Sequence, residues 1–75
     1  MEKALKEIVA RIAEIDPDFA NDAHLRDDLN VDSFRAVEIV FEVERAFSIK
    51  VPDTRYGEVQ TFSDLLNLVT SLKAA

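Results

Sequence analysis

No cysteine occurs among the 75 residues. Its absence excludes disulfides, thiolate metal sites and a thiol nucleophile from the chain, so any thiol used in function has to be supplied by another molecule. Glycine occurs once and proline twice. With so few chain breakers there is no linker, low-complexity tract or glycine-rich oxyanion loop, and no Gly-x-Ser-x-Gly elbow. No apolar run approaches the ~18–20 residues of a membrane span, which predicts no membrane insertion. The opening Met1-Glu2-Lys3 has no signal-peptide layout, so the expected compartment is the cytoplasm. Fifteen acidic against nine basic residues give a net charge of −6. Such a surface repels phosphate backbones, so nucleic acid is excluded as an expected partner and basic proteins are more natural ones.

Hydrophobic residues make up 48% of the chain, enough for one small core, and a single monomeric domain over residues 1–75 is expected. Leu5, Ile8, Val9, Ile12 and Ile15 recur at helical spacing, predicting a one-faced helix over 2–15 that Pro17 ends. On its other side Lys3–Glu7 and Glu7–Arg11 can pair at i, i+4. Residues 16–31 form a long polar connection with Phe19, Leu25, Leu29 and Val31 as its expected anchors to the core. A second helix follows over 33–47. Ile49, Val51 and Pro52 make an extended exit, and 54–59 a brief helical turn. Thr61-Phe62-Ser63-Asp64 has the layout of a capping box, after which Leu65, Leu66, Val69 and Leu72 continue a last helix. No segment alternates with period two, so the predicted fold class is all-α, without a sheet: three principal helices, one short extra and a long first loop.

The helix starting at Ser33 carries apolar residues on two arcs of its wheel. Ala36, Ile39, Val40, Val43, Ala46 and Phe47 span roughly 220° to 340° from Ser33, an ordinary core face. Arg35, Glu38, Glu42 and Arg45 form a solvent face, where Arg35–Glu38 and Glu42–Arg45 can pair at i, i+3. Phe34, Val37 and Phe41 lie at roughly 40° to 100°, beside Ser33 and near Glu44. Spacing alone favours burial of this second arc as well, because small domains have one core. Ser33 has an ordinary reading too: either Asp32 or Ser33 can cap the helix start. The free N–H groups and positive dipole end there would equally favour a phosphodiester on Ser33, although the Asp32 charge opposes that field.

Asp28-Leu29-Asn30-Val31-Asp32-Ser33-Phe34, followed by Val37-Glu38-Ile39-Val40, resembles the attachment motif of the acyl carrier proteins. The likeness continues through Glu44-Arg45-Ala46-Phe47-Ser48-Ile49-Lys50-Val51-Pro52-Asp53 and Thr61-Phe62-Ser63-Asp64, covering nearly the whole chain. The resemblance implies a four-helix bundle and a carrier that is not an enzyme. A phosphopantetheinyl transferase would move 4'-phosphopantetheine from coenzyme A onto Ser33, next to Asp32. The arm's thiol would then hold acyl groups as thioesters for synthases, reductases and acyltransferases of fatty acid, lipid or polyketide synthesis. The family's partner surface, carried over by position, comprises Asp32, Phe34, Val37, Glu38, Phe41 and Glu44. That reverses the burial expected of the second arc, which should then be partly exposed. Several residues depart from the family pattern. Phe34 stands for Leu, Asn30 and Ser48 for Gly, and Arg35 and Arg45 for acids. The last two suggest a specialised carrier.

Rival readings are poorer. His24, the single histidine, would be the base for a nucleophilic Ser33, but it sits in an acidic loop and reads as a surface residue. Asp16, Asp18, Asp22, Asp27 and Asp28 lack the spacing of a calcium loop, and no metal site is expected. An unmodified carrier-like interaction module is the remaining alternative, opposed by the Asp32-Ser33 pair.

Overall fold

The computed structural model describes residues 1–74; Ala75 lies outside the described residues. Helix α1 spans Glu2–Ala13, α2 spans Ser33–Phe47, a short 3-10 helix spans Asp53–Glu58, and α3 spans Phe62–Ala74. The all-α expectation holds. Among the described residues the one sheet-like feature is an isolated antiparallel bridge between His24 and Thr61.

The core forms where the apolar stripes of the three long helices meet. Leu5, Val9, Val43, Phe62 and Val69 are fully enclosed, with Ile8, Ala13, Ile39 and Leu65 around them. Two loop residues, Leu29 and Val31, complete this cluster, while Phe19 and Leu25 pack against it half-buried. The long loop is thus fastened by the four anchors its sequence suggests.

Several expectations need correction. Helix α1 stops at Ala13, not at 15, and Pro17 does not end it. Glu14 turns left-handed at φ 61°, and Ile15 N–H donates to Ala10 O at 3.0 Å. That is the six-residue closure of a Schellman turn, and it leaves Ile15 exposed. Helix α2 ends the same way on Ser48, at φ 55°, with Ile49 N–H donating to Glu44 O at 3.2 Å. Both turns use a side-chain-bearing residue where glycine costs least. Ala36 and Ala46 are exposed, not core. Ala46 sits at the edge of the apolar arc, and Ala36 lines the cavity described below rather than packing against a neighbour. The second arc is open to solvent: Phe34 is 74%, Phe41 63% and Val37 43% exposed. Spacing alone errs there because α2 has neighbours on one side only.

Charges pair across helices as well as along them. Arg11 meets Glu42 of α2 at 3.7 Å in place of Glu7, and Arg35 meets Glu14 at 3.7 Å in place of Glu38. The Glu42–Arg45 pair does form, as a two-pronged contact at 2.7 and 3.0 Å. No Lys3–Glu7 pair forms among the described residues.

The capping box predicted before α3 is present in full. Asp64 N–H donates to Thr61 Oγ1 at 3.2 Å, and Asp64 Oδ2 accepts from Thr61 and Gln60 N–H, each at 3.0 Å. These N–H groups hold the Asp64 carboxyl below its ordinary range. Hydrogen bonds from Arg45 and Arg55 act in the same direction on Glu42 and Glu58. A carboxyl depressed in the folded state adds stability above its unfolded value, about 3.9 for Asp, and loses it as pH falls through the folded value. The thermal midpoint is therefore expected to be flat near neutrality and to fall below about pH 4, with a shallower acid slope in Asp64→Asn. Equal slopes in thermal melts from pH 7 to pH 3 would exclude this role for Asp64.

Candidate functional site

The loop delivers Ser33 through a defined sequence of turns. His24 N–H donates to Asp28 Oδ2 at 2.7 Å, Asp27 N–H donates to His24 Nδ1 at 3.2 Å, and Leu29 N–H donates to His24 O at 3.2 Å. His24 thus organises the turn over residues 24–29, and Asp27 and Asp28 serve that turn. The loop is tied to the start of α3 as well. Leu25 N–H donates to Gln60 O at 2.9 Å, and Phe62 N–H to Ala23 O at 3.0 Å. Asn30 is left-handed at φ 57°, a geometry that Asn tolerates better than most residues. It reverses the chain between the two buried anchors Leu29 and Val31, so that Asp32 and Ser33 emerge at the surface.

At the helix start the two capping candidates separate. Asp32 is extended (φ −80°, ψ −178°), and its Oδ1 accepts from Arg35 N–H at 2.9 Å. Asp32 is the cap. That gives its carboxylate a structural reason to stand at a place where it opposes an incoming anion. Ser33 follows as the first helical residue. Its side chain is exposed and has no hydrogen-bond partner among the described residues. A serine hydroxyl free of any local duty is available for covalent chemistry. The Ser33 and Phe34 N–H groups also lack a protein acceptor among the described residues.

Arg35 braces this turn from outside, donating to Ala13 O at 3.3 Å besides its contact with Glu14. It neutralises the C-terminal end of α1, a favourable place for a cation. The sequence places Arg35 on a plain solvent face. A residue that reaches another helix's terminus leaves no trace in periodicity.

Ser33 and Asp32 lie on the rim of a cavity of about 660 Å³ between α2, the 3-10 helix and α3. Its wall is mostly aliphatic, with Val40, Val43, Val51, Val59 and Leu65 among the lining residues. Val37 lies at its edge. Tyr56 also lines it, and burial against the wall, with the charges of Asp53 and Glu44, raises its phenol above the ordinary value. A volume in this range takes a small-molecule-sized apolar group. Sequence reading finds the individual apolar residues but not this space, because the long loop, with His24, Leu25 and Val31, helps three separate helices to enclose it.

The remaining site residues divide. Phe34, Val37 and Phe41 form an exposed apolar strip along α2 from Ser33. Glu38, beside them, is exposed and makes no ion pair or hydrogen bond among the described residues. Glu44 is half-buried and occupied: its Oε2 accepts from Val51 N–H at 2.8 Å, fixing the exit segment to α2. Among the described residues no three His, Asp or Glu side chains are grouped to hold a metal. Among the described residues no helix is long and apolar enough to cross a membrane.

A family model described as "Phosphopantetheine attachment site" matches residues 3–69. The chain is 32% identical over 72 residues to an acyl carrier protein of Thermosynechococcus vestitus, covering 95% of this chain and 89% of the relative. It is 33% identical over 70 residues to an acyl carrier protein of Treponema denticola, covering 92% and 90% of the two chains.

Proposed function

This chain belongs to the acyl carrier protein family, and from that premise we propose that Ser33 Oγ is the atom that carries the phosphopantetheine arm. Members of the family are carriers of acyl groups on phosphopantetheine, not catalysts. One observation carries the assignment to Ser33: Asp32 does the capping, which leaves an exposed, unpartnered hydroxyl at the first helical position, on the rim of an apolar cavity.

The site fits the group. In loading, a bond forms from Ser33 Oγ to the phosphorus next to the pantetheine arm, and the pyrophosphate link of coenzyme A breaks. The hydroxyl proton passes to a base of the transferase, and the adenosine bisphosphate leaves. The arm then supplies the thiol the chain lacks, which holds acyl groups as thioesters. The chain's own contribution is placement. The unpaired N–H groups of Ser33 and Phe34 and the dipole of α2 favour a phosphodiester, and Asp32 fixes the turn beneath it. The aliphatic cavity shelters an acyl chain from water. Phe34, Val37, Phe41 and Glu38 form the face met by partner enzymes, while Glu44 serves chiefly to hold Val51. In this reading residues 1–75 are a single monomeric carrier domain of the cytoplasm, serving enzymes of fatty acid, lipid or polyketide synthesis. Arg35 and Arg45, and the contacts that occupy them, support a specialised rather than a housekeeping role.

The test is intact mass spectrometry of the chain after incubation with coenzyme A and a phosphopantetheinyl transferase, followed by fragmentation of the product. The expected result is one phosphopantetheine increment, located on Ser33. No increment, or an increment on another residue, overturns the assignment.

A further inference from the structure

We propose that Tyr56 is a specificity-determining residue of this carrier. Its hydroxyl donates to a neutral oxygen near the thioester, so the cavity favours acyl groups with a β-hydroxyl or β-keto oxygen over saturated ones. The proposal rests on the Ser33 reading above and goes beyond it in naming the residue that sorts one acyl group from another.

The cavity is graded from floor to mouth. Ile39, Val43, Val51, Leu65 and Leu68 are all buried and supply an aliphatic floor. That floor suits a saturated tail, since an oxygen enclosed there without a partner costs free energy. Ser33, His24 and Tyr56 also line the cavity but are partly or fully open to solvent, which places them at its mouth. A chain carried on Ser33 enters tail first, because its other end is tethered outside. The carbons nearest the thioester then stay among the polar residues of the mouth.

Tyr56 is the single tyrosine of the chain. It stands in the 3-10 helix, and its hydroxyl has no hydrogen-bond partner among the described residues. Burial, and then the charges of Asp53 and Glu44, keep the phenol protonated at neutral pH, so it is a donor there. The same two carboxylates disfavour a third at this spot, which leaves a neutral oxygen as the acceptor. His24 adds a second donor. Its Nδ1 accepts from Asp27 N–H at 3.2 Å, which leaves the ring proton on Nε2, and Nε2 has no acceptor among the described residues. Two unengaged donors above an aliphatic floor fit a chain with an apolar tail and an acceptor near its tethered end.

The test is a cycle of two changes, one in the protein and one in the cargo. The parent and Tyr56→Phe are loaded from octanoyl-coenzyme A and, separately, from each enantiomer of β-hydroxyoctanoyl-coenzyme A, and thermal midpoints are read at neutral pH. The arm, the thioester and the tail length are common to all cargoes, so any contact of the phenol with the arm cancels. The octanoyl form should melt within about 3 °C in parent and variant, because the phenol has no partner to lose. In the better-stabilised β-hydroxy form, Tyr56→Phe should lower the midpoint by about 4–8 °C more than in the octanoyl form. That is the shift given by one net hydrogen bond in a domain of this size. A loss in the octanoyl form as large as in the β-hydroxy forms, or no loss in any of them, overturns the inference and leaves the Ser33 assignment standing. Failure of the parent to take up any of the cargoes, read as no mass increase on Ser33, overturns that assignment and the inference with it.

Discussion

Ser33→Ala is expected to abolish loading by coenzyme A and transferase completely, with no loss of stability. The two effects come apart because the helix start has two polar residues with separate duties. The Ser33 hydroxyl makes no hydrogen bond among the described residues, and at the first helical position alanine is the better helix former. Asp32→Ala is the converse. It removes the acceptor of Arg35 N–H at 2.9 Å and should cost about 1 kcal/mol. In a domain of this size that lowers the thermal midpoint by roughly 4–8 °C. Asp32→Asn keeps a capping oxygen and should keep nearly all of the stability. Loading of Asp32→Asn then reports whether the transferase uses the carboxylate itself. Thermal melts and intact mass on the three variants separate these roles. A midpoint that falls in Ser33→Ala and holds in Asp32→Ala would reverse the cap assignment.

Much of this arrangement is written in local pattern. The three long helices follow from apolar spacing, and the start of α3 from Thr61 and Asp64. Each depends on residues within one or two turns of each other, the range over which sequence periodicity carries information. What escapes such reading is every contact made at long range. Arg35 looks like a surface residue until the end of α1 arrives beside it. Glu44 looks like part of an acidic face until Val51 folds back onto it. The second apolar arc of α2 reads as core on spacing because periodicity shows that a stripe exists, not whether anything covers it. The family motif carried the missing fact, since it ties the stripe to an attachment serine. The end of α1 escapes the sequence for another reason. Pro17 is a visible stop signal, whereas a left-handed Glu14 is not, because glutamate rarely takes that geometry.

Phe62→Ala is expected to cost about 3–5 kcal/mol, the range for emptying a phenylalanine site in a core. A chain of 75 residues has a total stability of roughly 4–11 kcal/mol by the usual per-residue scaling, so this one change consumes a large share of it. Phe62 is fully enclosed and meets Phe19 edge to face, with ring centroids 5.2 Å apart. The Lys6 ammonium lies 5.2 Å from the Phe19 ring and 5.4 Å from that of Phe62, and it donates to Phe19 O at 2.7 Å. These contacts join α1, the long loop and α3 at one point, so the loss should spread from the core into the loop that carries Ser33. Phe41→Ala deletes the same atoms from a ring that is 63% exposed, and should change stability by no more than about 0.5 kcal/mol. Denaturant titration of the pair measures the contrast directly. Hydrogen exchange in Phe62→Ala should show residues 19–31 losing protection before α2 does, because their ties run to Phe62 and its neighbours whereas α2 keeps its own cap. Equal destabilisation by the two alanines would mean that the buried and exposed aromatic faces of this bundle are wrongly divided.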